Sequence, residues 1–224
     1  MPRRIATFHP QRVRMNVRRK AYTSGIEGDD LITAEFGAPL AANNTAFLSA
    51  QSIASAGNTS VFNAAYVASE AQMGKWGRGI RVVASGAATS QVTITGRDYL
   101  GQRMQEVLTL NGATAVLGVK AFRYIDNIAW GATAAVTIDV GFTNLMGLPE
   151  KGKAMVNEIK NNAASANAGT FVAGLANATT PTGTNADVRG TYLPVTVLPD
   201  GTNTFEVRYV ADTSNLHGNA QFAA

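Results

Sequence analysis

The clearest hydrophobic pattern in this chain has a period of two, not 3.6. In Gln91–Gly96, Val92 and Ile94 point one way while Thr93 and Thr95 point the other, the alternation of a half-buried strand. Gly79–Ala84 is short and rich in β-branched residues, and Met104–Leu110 reads as a return strand with Glu106 and Thr109 at polar positions. Further strands are predicted at Ala121–Ile128, Ala134–Val140, Thr191–Leu198 and Thr204–Val210. The punctuation between them is turn chemistry: Gly96–Gly101, Asn111-Gly112, Trp130-Gly131 and Pro199-Asp200-Gly201. Helical pattern is thin, because Gly and β-branched residues interrupt nearly every window. Two helices are nonetheless expected, Thr45–Ala56 and Pro149–Lys160, the second with Pro149 at a position suited to a first helical turn.

Short strands divided by Gly-rich turns predict an all-β chain, an antiparallel β-sandwich or jelly-roll-like body. A parallel α/β sheet lacks its crossover helices. Residues 36–69 and 161–186 carry no charge and are rich in Ala, Asn, Ser, Thr and Gly. They read as long surface loops or as extended segments laid against a neighbouring subunit, where low charge lowers the cost of desolvation.

Length changes this picture little: 224 residues fit one large domain, or one domain with an arm. Charge changes it more. Seven of the 19 basic residues fall within residues 1–20, which hold no acid, and the other 12 face 15 acids. The net charge of +4 is therefore a mildly acidic body, −3 over residues 21–224, with a basic arm. The expected division is an extended basic arm over 1–30 and a β-rich body over 31–224. From Arg12 to Val17 basic and apolar residues alternate, which suits an extended segment lying on another surface. Arg3, Arg4, Arg12, Arg14, Arg18, Arg19 and Lys20 are the candidate contacts to an acidic partner, with Phe8 and Val13 as apolar anchors. A solvated terminus is the plain alternative. The start of the chain lacks the apolar run of a signal peptide. The longest charge-free stretch, 36–69, holds too many Asn and Thr residues to sit in a bilayer, so no membrane partner is expected.

Chemistry is sparse. With no cysteine there is no thiol nucleophile and no Cys–zinc site, and the two histidines, His9 and His217, lack a triad context. No HExxH, P-loop or GxSxG occurs. Gly74, Gly77 and Gly79 are out of order for a dinucleotide fingerprint and read as a bend entering a strand. Asp29-Asp30 is an isolated acidic pair without the alternating acids of a calcium loop. Trp76 and Trp130 read as core or interface anchors. Arg97, Asp98, Asp187 and Arg189 read as turn residues with local hydrogen bonds rather than as catalytic groups. No enzyme activity, cofactor or metal is expected.

Some motifs are more specific as an ordered set. Val92-Thr93-Ile94-Thr95-Gly96-Arg97-Asp98, then Gly101 and Glu106, then Ala121-Phe122 and Ile125 through Ile128, resemble a strand-rich module of tailed-bacteriophage structural proteins. Gly147-Leu148-Pro149, Asp187-Val188-Arg189-Gly190-Thr191-Tyr192 and Pro199-Asp200-Gly201 are similar to segments that follow that module in such proteins. The matches cover about half of the chain and leave the first 70 residues unmatched. The resemblance implies a virion structural protein, most like a decoration or cement protein on the capsid exterior, assembled in the bacterial cytoplasm. Its implied partners are the phage major capsid protein and further copies of itself, a trimer ahead of a dimer. A tail-tube or head–tail connector protein is the alternative within the virion. Nucleic acid is a poor partner for a body of net negative charge without a basic aromatic face. An enzyme acting on polysaccharide would need paired carboxylates that the scattered acids do not supply.

Overall fold

The computed structural model describes residues 30–64, 66–164, 168–175 and 186–212. Its strands, in chain order, begin with β1 (Asp30–Gly37), β2 (Asn43–Ser52) and β3 (Gly57–Thr59). One short helix, α1 (Glu70–Met73), follows. Then come β4 (Arg78–Ala84), β5 (Gln91–Arg97), β6 (Arg103–Thr109), β7 (Val116–Leu117), β8 (Tyr124–Trp130), β9 (Thr137–Gly147) and β10 (Gly152–Lys160). The last four are β11 (Ala163–Ala164), β12 (Thr170–Ala173), β13 (Gly190–Leu193) and β14 (Phe205–Ala211). The described chain is all-β, and every strand pair in it is antiparallel.

Three sheets form. The first has the order β3-β8-β5-β6, and the third β1-β14-β10-β11. The second runs β12-β13-β9-β4-β7, with β2 also paired to β9. Strand β9 organises the fold. One of its edges is taken by β4, from Arg78↔Met146 to Ala84↔Ile138. β2 pairs with its Thr137–Phe142 part and β13 with Met146 and Gly147.

That division matches two cores. The larger packs Val92, Ile94, Met104, Leu108 and Ile128 of the first sheet with Phe47, Ile80, Val82, Ile138, Val140 and Phe142 of the second. The smaller packs Ala34, Phe36, Phe205, Val207, Tyr209 and Ala211 of the third sheet with Met146, Leu148 and Tyr192. Phe36 lies edge-on to Trp76 with centroids 5.2 Å apart and stacks on Tyr192 at 5.7 Å. The two tryptophans are partly buried packing partners, one on each core.

The cleanly alternating strands β5, β6 and β14 fall where the sequence puts them, and so does β4. The Pro199-Asp200-Gly201 turn forms with the Asp200 carboxylate accepting from the Thr202 and Asn203 amides. Its two flanking strands do not pair with each other, however; β13 joins β9 and β12 while β14 joins β1 and β10.

Both expected helices are strands. Thr45–Ala56 is mostly β2, and Pro149–Lys160 is mostly β10. In each, register shifts break the period of two: between Asn43 and Leu48 and between Leu48 and Gln51 in β2, and twice in β10. A bulge turns neighbouring side chains to the same face. Ala46, Phe47 and Leu48 are consequently all buried, a run with no strand signature. Within residues 36–69, β2 and β3 form, and Phe47 and Ile53 are wholly buried in the larger core. Of residues 161–186, the described parts form β11 and β12.

Candidate functional site: a buried charge cluster between the cores

The nine residues expected to contact a partner, Arg3, Arg4, Phe8, Arg12, Val13, Arg14, Arg18, Arg19 and Lys20, lie outside the described residues, as do His9 and His217. The most distinctive chemistry in the described part is a set of charged side chains where the two cores meet. Asp98, Glu106, Lys120, Asp187 and Arg189 are each no more than 1% exposed.

Each reaches that place for a local reason. Glu106 is on β6 between Met104 and Leu108, so strand alternation turns all three inward. Its Oε1 accepts from the Val119 amide at 2.7 Å and the Lys120 amide at 3.3 Å. Its Oε2 is buried without a hydrogen-bond partner. Gly118 closes over the carboxyl; a Cβ there would lie 2.3 Å from Oε2. Burial pushes the Glu106 carboxyl up to about 7, against the opposing pull of the two amides and of Lys120. Lys120 donates to the Gln105 carbonyl at 3.0 Å, and burial lowers its pKa while Glu106 and then Asp187 raise it.

Asp98 begins the turn after β5 and accepts from the Leu100 amide at 2.9 Å and the Gln102 amide at 2.8 Å. Its other oxygen meets the Arg189 guanidinium at 2.9 Å. Arg189 also lies over the Tyr99 ring, 4.9 Å from its centroid. The Tyr99 hydroxyl donates to the Pro149 carbonyl. Asp187 accepts from the Arg189 amide at 2.9 Å and the Ala121 amide at 3.1 Å.

Segment 119–121 is therefore gripped by a carboxylate from β6 on one side and by Asp187, just before β13, on the other. Local turn bonds at Asp98 and Asp187 are as the sequence suggests. The Asp98–Arg189 pair, spanning ninety-one positions, is a correction to the purely local reading, and Arg97 departs from it too. Arg97 forms a forked pair with Asp126 of β8, at 2.9 Å and with both side chains well exposed. Glu106 and Lys120 were not singled out by the sequence as a pair. The signal available was an acid at the inward position of a period-two strand.

Buried cations outside the cluster serve the frame, Arg78 and Lys160 among them. Arg78 donates to the Thr143 and Leu40 carbonyls at 2.8 and 2.6 Å and to Asn144 Oδ1 at 3.0 Å. Desolvation lowers it to about 10, so it stays charged at neutral pH. Lys160 pairs with Glu158 at 3.0 Å beside the smaller core. In the central cluster the carboxylate oxygens other than Glu106 Oε2 meet backbone amides or Arg189, and all are buried. That arrangement fixes chain segments; it offers no open face to a substrate. Among the described residues no group of three or more His, Cys, Asp or Glu side chains is placed to hold a metal ion. No helix among them is long and apolar enough to cross a membrane.

Compared with protein-family models, with curated proteins and with solved structures, the chain matches none.

Proposed function

We propose that the chain is a non-enzymatic structural protein of a tailed-bacteriophage virion, binding the outside of the capsid and stabilising contacts between capsomers. The observation that carries this reading is a convergence. Asp98, Glu106, Ala121 and the pair Asp187 and Arg189 come from four segments of the ordered resemblance, and they meet in one buried cluster. Motifs that resemble a phage module in sequence thus behave as one structural unit in space.

Physical demands on such a protein agree with the rest. A cement protein bridges capsomers through many copies, so weak contacts add up. It needs a stiff body, supplied by three antiparallel sheets on two cores. It also needs an adhesive element. The basic residues of 1–20 suit an acidic face of the major capsid protein, and a homo-trimer at a local symmetry axis is the expected assembly.

The test is binding of purified protein to expanded, empty phage capsids that lack it, with and without residues 1–20. Saturable binding that weakens with salt, and that weakens and loses salt sensitivity on removal of 1–20, is the expected result. Failure of the full-length protein to bind would overturn the capsid assignment and favour the tail tube or the head–tail joint. Unchanged binding without 1–20 would remove the arm from the account. Sedimentation should give a trimer.

A further inference from the structure

We propose that the Glu106 carboxyl is a proton-operated latch on segment 118–121, closed when Glu106 is neutral and loosened when it is ionised, and so controls how firmly the two cores are joined.

The geometry comes first. Segment 118–121 crosses from β7 to β8 and is held through three amides: Val119 and Lys120 on Glu106, Ala121 on Asp187. Asp187 stands two residues from Arg189, whose guanidinium reaches Asp98 on the far side of the junction. The segment is thus the point where the first sheet and the chain leading into β13 grip the same stretch of backbone. Immediately after it, Phe122 exchanges both backbone hydrogen bonds with Arg78, at 2.8 and 2.9 Å. Loosening of 118–121 therefore propagates to the start of β4.

Partnering then picks the proton site. Three carboxyls (Asp98, Glu106, Asp187) and two cations (Lys120, Arg189) are buried together. Asp98 has an ion pair with Arg189, and Asp187 has two amides. Asp98 Oδ2 and Glu106 Oε2 are both buried without a hydrogen-bond partner, but Asp98 Oδ2 faces the Arg189 guanidinium at 2.9 Å, whereas among the described residues no cation lies at ion-pair distance from Glu106 Oε2, so charge there goes uncompensated. The charged groups facing Glu106 are Lys120, on the segment that it holds, and Asp187, just before β13. Asp98, Arg189 and Glu150 face the Tyr99 side of the junction. Ionisation strengthens what Oε1 accepts from the Val119 and Lys120 amides, but burial outweighs that gain, because the charge sits on a carboxyl whose Oε2 is unpartnered and opening of the segment lets water reach it; the neutral form keeps Oε1 as an acceptor and sheds the buried charge.

The sign follows from linkage. The folded protein holds this proton more tightly than the unfolded chain does, so the stabilising contribution is present at low pH and is lost as pH rises through neutrality. The experiment is denaturant unfolding of the full chain at pH 6.0 and 8.5, with hydrogen exchange of the 119–121 amides corrected for intrinsic pH effects. The unfolding equilibrium constant should be about ten-fold larger at pH 8.5 than at pH 6.0. Exchange of the three amides should be correspondingly faster. Glu106→Gln keeps an acceptor oxygen and cannot ionise, so it should flatten both profiles. A wild-type profile that is flat, or one that Glu106→Gln leaves unchanged, overturns the latch. Should Glu106→Gln fail to fold, wild-type exchange decides alone: protection of 119–121 that does not vary with pH refutes the proposal.

Discussion

The two cores are held together by different means. Among the described residues the larger gathers twenty-one buried apolar side chains, Phe47, Ile80, Val92 and Phe142 among them, mostly from strands of two sheets. The smaller gathers nine among the described residues and relies on a few aromatic rings, Phe36, Tyr192, Phe205 and Tyr209. Around it stand buried ion pairs, Lys160–Glu158 at 3.0 Å and Lys151–Asp212 at 3.1 Å. Apolar burial is non-directional and scales with area, so the larger core tolerates small changes at its margins. Ion pairs in low dielectric depend on both partners being present, since a lone buried charge costs far more than the pair contributes. The smaller core should therefore respond more sharply to single polar substitutions. It should also open first in local unfolding.

The largest expected effect breaks the larger core. Phe47→Ala removes a ring packed edge-on to Tyr66 and Phe142, and should cost about 4 kcal/mol in denaturant unfolding. Because β9 serves both cores, near- and far-ultraviolet signals should be lost together.

Next comes the junction. Asp98→Asn leaves the Arg189 guanidinium buried opposite a neutral amide and should cost about 3 kcal/mol. Pairing Asp98→Asn, whose side-chain oxygen still accepts from the Leu100 and Gln102 amides, with Arg189→Met should recover most of that loss. A double variant as unstable as the single one would show that the charge is not the cause.

A smaller effect tests close approach of backbones. A Cβ on Gly96 would stand 2.1 Å from the Tyr124 carbonyl, where the register between β5 and β8 shifts. Gly96→Ala should cost about 2 kcal/mol, read from its denaturation midpoint. The smallest change should come from Arg97→Ala. Its pair with Asp126 is exposed at 47% and 39%, so stability should fall by less than about 1 kcal/mol, and the difference should shrink further in salt.

The same contrast decides what was legible in the sequence. Strands whose side chains alternate without interruption, such as β5 and β14, can be read directly, and so can turns built on Asn-Gly or Asp-Gly. The bulged strands β2 and β10 cannot, because a bulge erases the period-two signal and leaves adjacent apolar residues that mimic other structure. Pairing was hidden as well. The Asp200 turn joins strands that belong to different sheets, which no local pattern encodes. In the charge cluster the turn bonds of Asp98 and Asp187 were visible through residue type. The Asp98–Arg189 pair and the grip of Glu106 on Val119 were not, since both depend on contacts between distant segments.

The most direct test of the claim that the two regions are joined through this cluster is native-state hydrogen exchange of the full chain, comparing wild type with Asp98→Asn. The account predicts that the amides of Val119, Lys120 and Ala121 and those of β13 lose protection together, while the centre of the β5–β6 ladder keeps its own. Loss confined to the Leu100 and Gln102 amides, with β13 unaffected, would show Asp98 to be a turn residue only and would contradict the account.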